Sequence, residues 1–196
     1  MKIKYKRIGA YLIDSLIITI ISTAMASLII SPQNEKLYTK YNTQASDAYF
    51  SLIKKDISTT EYGDIMNSIS YKMDRYGITY SVVSAVCLIG YFGLYQFINN
   101  GQTLGKKVFK IAIKSQVKNR KLTISQVMTR AIINNSIYVP TLTTLLVLIL
   151  PAKNYYIYNQ TVQYFGMIVL YTSAFLVIFS KDGRGIHDRI TKTRVE

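Results

Sequence analysis

Residues Ile8 to Ile30 read IGAYLIDSLIITIISTAMASLII, a run long enough to cross a bilayer as a helix. A helical span needs roughly 20 mostly apolar residues. Asp14 sits inside this run, seven residues after Arg7. A carboxylate there costs about 2.5–3.5 kcal/mol unless it is paired or hydrated, so by default it marks a functional or packing device. Three further blocks have the same character: Tyr76–Ile98, Ala131–Pro151 and Thr161–Ser180. The third is the most polar, opening with Asn134, Asn135 and Ser136 and interrupted by Pro140.

Composition agrees with this reading. Half the chain (49%) is hydrophobic and the mean hydropathy is +0.17, gathered into blocks rather than dispersed. The fold expected is an all-α integral membrane protein: four transmembrane helices at about 8–30, 76–98, 131–151 and 161–180 in one domain over 1–196. An outer helical segment, 31–75, a basic cytoplasmic segment, 99–130, and a tail, 181–196, complete it. The net charge of +14 is unevenly placed. Seventeen of the 24 Lys and Arg lie before the first span, between the second and third, or in the tail. The positive-inside rule therefore sets both termini in the cytoplasm. This distribution argues for anionic lipid headgroups as partners rather than nucleic acid. The expected location is a cell membrane, bacterial in type.

The first block also resembles a secretory signal, with Ala24-Met25-Ala26 as a cleavage site. Asp14 inside the apolar core and the continuation through Ile30 weigh against it. Cys87 is the lone cysteine, so no intramolecular disulfide is expected and the thiol reads as a packing group. Seventeen tyrosines and no tryptophan place the interfacial anchors on tyrosine.

Between the first two spans, Ala45, Tyr49, Leu52 and Ile53 recur at helical spacing, as do Ile65, Met66, Ile69 and Met73. Ser58-Thr59-Thr60-Glu61 is a capping box for the second stretch. Two amphipathic helices are expected. In the basic segment the rhythm changes to two. Phe109, Ile111 and Ile113 alternate with Lys110, Ala112 and Lys114, which predicts a strand returning through a turn at Asn119-Arg120 to Lys121–Ile124. An amphipathic interfacial helix is the alternative. Thr123 or Ser125 then caps a helix through Gln126 and Arg130 into the third span.

Three motifs occur in order: Arg7-Ile8-Gly9-Ala10-Tyr11-Leu12-Ile13-Asp14, Gly101-Gln102-Thr103-Leu104-Gly105-Lys106-Lys107, and Gly185-Ile186-His187-Asp188-Arg189 running on to Val195. Together they resemble the RDD family of membrane proteins, named for an arginine and two aspartates. The resemblance implies that Arg7, Asp14 and Asp188 are those positions. It also implies transport, with sodium/proton antiport in some members.

Seven residues are close to two helical turns, so Arg7 and Asp14 share a face about 10 Å apart along the axis. That is too far for a direct ion pair. Arg130, Asn134, Asn135 or the basic tail are the candidate partners of Asp14. Pro140 frees a carbonyl, as the broken helices of transporters do, although proline kinks are also ordinary in membrane helices. Asp188 is expected to cap a turn or to pair with Arg184, Arg189 or Arg130. His187 is a candidate pH sensor.

Gly101…Gly105-Lys106 is not a phosphate loop: the glycine spacing is short by one and Lys107 replaces the Ser or Thr. With one histidine, no metal site, cofactor or catalytic constellation can be assembled, and the chain does not read as an enzyme. The expected function is transport, most concretely exchange of monovalent cations for protons by a homo-oligomer. The alternative is a non-transporting accessory, assembly or immunity protein that binds a partner through 31–75.

Overall fold

The computed structural model describes residues 3–117 and 120–196. Helix α1 spans Ile3–Ile29, and at about 1.5 Å per residue its 27 residues reach about 40 Å, more than a bilayer core. Ser31 then caps α2 (Pro32–Lys54), its hydroxyl accepting from the Asn34 N–H, with Pro32 at the first helical position where no N–H is needed. Lys55 ends α2 in the left-handed region at φ 64°. The expected capping box forms in full: Ser58 and Glu61 satisfy each other's backbone N–H and start α3 (Thr59–Tyr76). These two helices form an antiparallel hairpin, with Tyr41 stacked on Tyr76 at 5.9 Å.

Only Gly77 separates α3 from the next span, Ile78–Ile98. It begins as α4 (Ile78–Leu88), widens into a π-helical stretch at Ile89–Tyr95 and closes as α5 (Gln96–Ile98). A short helix, α6 (Leu104–Val108), and strand β1 (Ile113–Ser115) follow. Thr123 caps α7 (Ile124–Asn134) with a second reciprocal box to Gln126. After α7 the chain bends by 72° into α8 (Tyr138–Ile149), and α9 (Ala152–Phe179), α10 (Ile186–Ile190) and β2 (Thr193–Val195) complete it.

Three helices are long and apolar enough to cross a membrane, and the bent pair α7–α8 makes a fourth if counted as one span. The architecture is that of an all-α membrane protein. The spans form an open row, with α1 beside α4, α4 beside α8, and α8 beside α9. Their outward faces are apolar and exposed, as at Leu16, Leu28, Ile149, Ile168 and Phe179. In water such a surface would be an aggregation liability; in lipid it is the solvated face. The inner core is small, built on Ile18, Phe92, Ala131 and Ile137.

Two local expectations are corrected. The strand does not fold back on Lys121–Ile124: β1 pairs antiparallel with β2, Ile113 opposite Val195 and Ser115 opposite Thr193. Phe109 and Ile111 lie outside it, because Lys110 takes φ 52° and turns the chain before the strand starts. Of the expected turn, Asn119 falls outside the described residues. The third span is interrupted one turn before Pro140, at Asn135–Ile137, where Ser136 has φ 49°. Pro140 sits in the first turn of α8, where its missing N–H leaves no helical bond unmade, and its ring excludes a continuous helix through the preceding turn.

Both termini meet at one end of the bundle: Lys4 donates to the carbonyls of Ile178 (2.7 Å) and Ser180 (3.0 Å). The α2–α3 hairpin lies at the other end, packed on α8 and α9.

Candidate functional site

At the terminal end two carboxylates are completely buried, Asp14 and Asp188. Asp14 stands on the face of α1 that receives α6. Gly105 makes this approach possible: a Cβ there would lie 2.3 Å from the Ala10 carbonyl oxygen and 2.9 Å from the Asp14 carboxyl carbon. Thr103 caps α6 and donates to Asp14 Oδ2 at 2.5 Å, while the Gly105 N–H donates to Oδ1 at 2.7 Å. The widened π segment of the second span supplies a third donor, the Tyr91 hydroxyl, at 2.6 Å from Oδ1. Lys106 Nζ lies 3.9 Å from Oδ2.

Asp14 therefore has none of the partners expected of it. Arg130, Asn134, Asn135 and the tail do not reach it; two hydroxyls, a backbone N–H and Lys106 do. Gly101 prepares this loop. At φ 83° it turns the chain so that its carbonyl takes the Ile113 N–H (3.0 Å), and the close approach of Ile113 leaves no room for a side chain.

Asp188 gathers the arginines. Arg7 Nη2 donates to Oδ2 at 2.6 Å, and Arg130 Nη1 donates to Oδ1 and to the Thr193 hydroxyl (3.0 Å). The expected Asp188–Arg130 pair is present; Arg184 and Arg189 instead meet Asp182. Arg7 also donates to the Gly183 carbonyl at 2.5 Å. Asp188 caps its own turn, accepting the Gly185 N–H at 3.0 Å. Burial alone would raise the Asp188 pKa, but Arg130, His187 and Arg7 outweigh it and hold the carboxyl well below its usual range.

His187 Nε2 lies 3.2 Å from Asp188, and Nδ1 shares a proton with the Ser173 hydroxyl at 2.9 Å. Burial, helped by the Arg130 charge, pushes the imidazole down to about 4 despite Asp188. The ring is neutral at pH 7 and titrates in acid rather than in the neutral range of an unperturbed histidine.

A cavity of about 330 Å³ lies beside both clusters, between α1 and α9. Arg7, Lys106, Arg130, Asn134 and Asn135 line it, so it joins α1, α6 and the end of α7, which no local pattern connects. Burial pulls the Lys106 ammonium down to about 7, with Arg130 and Arg7 adding to that and Asp14 opposing it.

A second polar cluster occupies the hairpin end. Asp74, on α3, accepts from the Tyr155 hydroxyl at 2.7 Å and from Asn159 Nδ2 at 3.0 Å; the Thr143 hydroxyl donates to Asn159 Oδ1 at 3.0 Å. Burial raises the Asp74 carboxyl above its ordinary range, and the two hydrogen bonds only partly offset this. Between the clusters, at the break of the third span, the buried hydroxyls of Ser136 and Tyr138 have no hydrogen-bond partner among the described residues.

Sequence reasoning passed over Lys106, Thr103, Tyr91 and Asp74. The first two lay in a motif already singled out, where Thr103 before Leu-Gly-Lys is a helix-cap signal. Asp74 had no such signal, since its helix reads as an exposed amphipathic one.

No curated protein and no solved structure matches the chain. The RDD family model, however, matches residues 5–192, which takes in both carboxylates, both arginines and the Gly101–Lys107 loop. This membrane protein belongs to the RDD family.

Proposed function

We propose that the protein is a membrane transporter that exchanges a monovalent cation for a proton at the pair Asp14–Lys106. The observation that carries this is a largely buried ammonium 3.9 Å from a fully buried carboxylate beside an open cavity. Lys106, held near pKa 7, releases its proton to the cavity at neutral pH. Asp14 is then uncompensated, and a cation takes the place of the ammonium against Oδ2 and Thr103 Oγ1. Reprotonation of Lys106 expels it. One positive charge leaves for each that enters, so the site keeps its net charge. Arg7 serves here by loosening the proton on Lys106 rather than by acting on Asp14 directly.

The path is supported by the broken span. Asn134 and Asn135 line the cavity, Ser136 and Tyr138 lie in or beside the break, and Thr143, Asn159 and Asp74 lead toward the hairpin end. Broken membrane helices expose polar groups where they line such cavities. The basic terminal end is taken as cytoplasmic, and the exposed apolar residues of α4 and α8, such as Val86 and Leu148, suit a homo-oligomer.

The test is exchange in inside-out vesicles. Sodium, lithium or potassium is added to acidified vesicles and internal pH is followed, for wild type, Asp14→Asn and Lys106→Met at matched insertion. The expected result is alkalinisation in wild type only. A silent wild type rules the mechanism out.

A second reading, a non-transporting accessory that docks a partner on 31–75, draws on the exposed Tyr49, Phe50 and Ile53 near the end of α2. Replacing the hairpin by a short Gly/Ser linker separates the two: exchange that survives while a protective or assembly phenotype is lost favours docking.

A further inference from the structure

The cavity between α1 and α9 is lined by three basic side chains and by apolar residues, of which Ile8, Leu12, Ala174 and Ile178 are exposed. Arg7, Lys106 and Arg130 enter it from three different elements, and the carboxylates beside them are Asp14 and Asp188. With Lys106 protonated the group is short of one negative charge. Its donors are also not all used. Arg130 spends Nη1 on Asp188 and Thr193, while its Nε and Nη2 have no hydrogen-bond partner among the described residues; neither has the Asn134 side-chain amide. A cavity-lining guanidinium with one free edge, Nε–H and Nη2–H, matches the oxygens of a phosphate, which it can hold in a bidentate manner.

The mouth decides what carries that phosphate. Ile8 and Leu12 on α1 and Ala174 and Ile178 on α9 line the cavity and are exposed on the faces that meet lipid. A ligand arriving through that opening comes from the bilayer and must be an amphiphile. Cavities of this size accommodate ligand headgroups of a few polar atoms with an apolar continuation.

We propose that this cavity is a specific site for the phosphate headgroup of an anionic membrane lipid, admitted sideways between α1 and α9. Arg130 and Lys106 hold the phosphate, Asn134 donates to it, and the acyl chains leave past Leu12 and Ile178. This goes beyond the exchange reading and does not depend on it, because the site requires only the charges, the free donors and the lateral opening.

The full-length protein in neutral-detergent micelles is titrated with fluorescent phosphatidylglycerol, with phosphatidylcholine and inorganic phosphate as competitors. Phosphatidylglycerol is expected to bind at least about tenfold more tightly than phosphatidylcholine, equivalent to about 1.4 kcal/mol. Millimolar inorganic phosphate should leave it bound. Arg130 also holds the fold together, so the variant of choice is Ala174→Trp, which fills the mouth from an exposed position without touching a charge. It should weaken binding at least about tenfold with unchanged thermal unfolding. Equal binding of the two lipids, displacement by inorganic phosphate, or undiminished binding to Ala174→Trp would each overturn the proposal; displacement would instead identify a site for free phosphate.

Discussion

Arg7 and Asp188 are 181 residues apart in sequence and 2.6 Å apart in space, so the first turns of α1 are tied to the last helix of the chain. Arg130 takes the second oxygen of the same carboxylate. One anion thus compensates two guanidiniums, both of which line the cavity.

Asp188→Asn leaves both arginines with no opposing charge in a buried site. Breaking a buried pair from one side costs about 3–5 kcal/mol. We expect a loss of that order in detergent unfolding followed by near-ultraviolet circular dichroism. A variant as stable as wild type would show that the tail is held by something else.

Gly105→Ala places a methyl group 2.3 Å from the Ala10 carbonyl oxygen, which forces α6 away from α1. Overpacking of this kind costs about 1–3 kcal/mol. Amide exchange at Gly105, whose N–H is held by Asp14, should accelerate, while exchange in the α2–α3 hairpin stays as it was.

His187 gives stability a definite slope with pH. Its pKa falls from 6.5 to about 4 on folding, so between those values the unfolded chain binds more protons. The His187 contribution to stability therefore rises from pH 4 to pH 6.5, by up to about 3 kcal/mol, and is level above. Asp188 stays ionised in the folded protein, so it adds to the slope only toward pH 4, where the carboxyl of the unfolded chain begins to take up protons. His187→Gln should flatten the profile; an unchanged slope would assign it to another group.

Lys106 sets the pH profile of the proposed exchange. With its pKa near 7, activity should climb as pH rises through 7. In Lys106→Arg the charge remains at every accessible pH, and exchange should be lost while the protein stays folded. Retention of the wild-type profile in that variant would remove Lys106 from the mechanism.

The strand pairing can be checked without a structure. The Ala112 N–H donates to the Glu196 carbonyl at 2.7 Å, and the Glu196 N–H returns to Ala112 at 2.9 Å. Deleting residues 193–196 should abolish exchange protection at Ala112. Replacing Lys121 and Leu122 by Gly and Ser should leave it intact, whereas the hairpin first expected over 109–124 requires the reverse.

Elements whose causes are local were legible in the sequence. Ser58 with Glu61 is a reciprocal cap that forms where the spacing puts it, and of the two candidate caps Thr123 and Ser125 the structure uses Thr123, with Gln126. The apolar blocks announced the helices that can span a membrane. Pro140 announced a break, and the structure moves it by the one turn over which a proline ring acts. Partners brought together by tertiary packing were legible only where charge restricted the choice, as for Arg130 and Asp188. Asp14 defeated the same reasoning because its donors are mainly two hydroxyls and a backbone N–H, which no charge count can nominate. Strand β1 was mispaired because alternation identifies a strand but carries no address for its neighbour, here about 80 residues away. Asp74 stayed hidden because burial in α3 comes from packing against α9, invisible in the amphipathic pattern of α3 itself.

The tie between Arg7, Arg130 and Asp188 also orders events during synthesis. The two arginines leave the ribosome long before the carboxylate that neutralises them, and β2, which completes the only sheet pairing among the described residues, follows later still. Until that last stretch emerges, Arg7 and Arg130 lack the carboxylate that neutralises them and β1 lacks its partner strand. A chain that stops short of Asp188 therefore keeps two buried-site guanidiniums without their carboxylate and a β1 without β2.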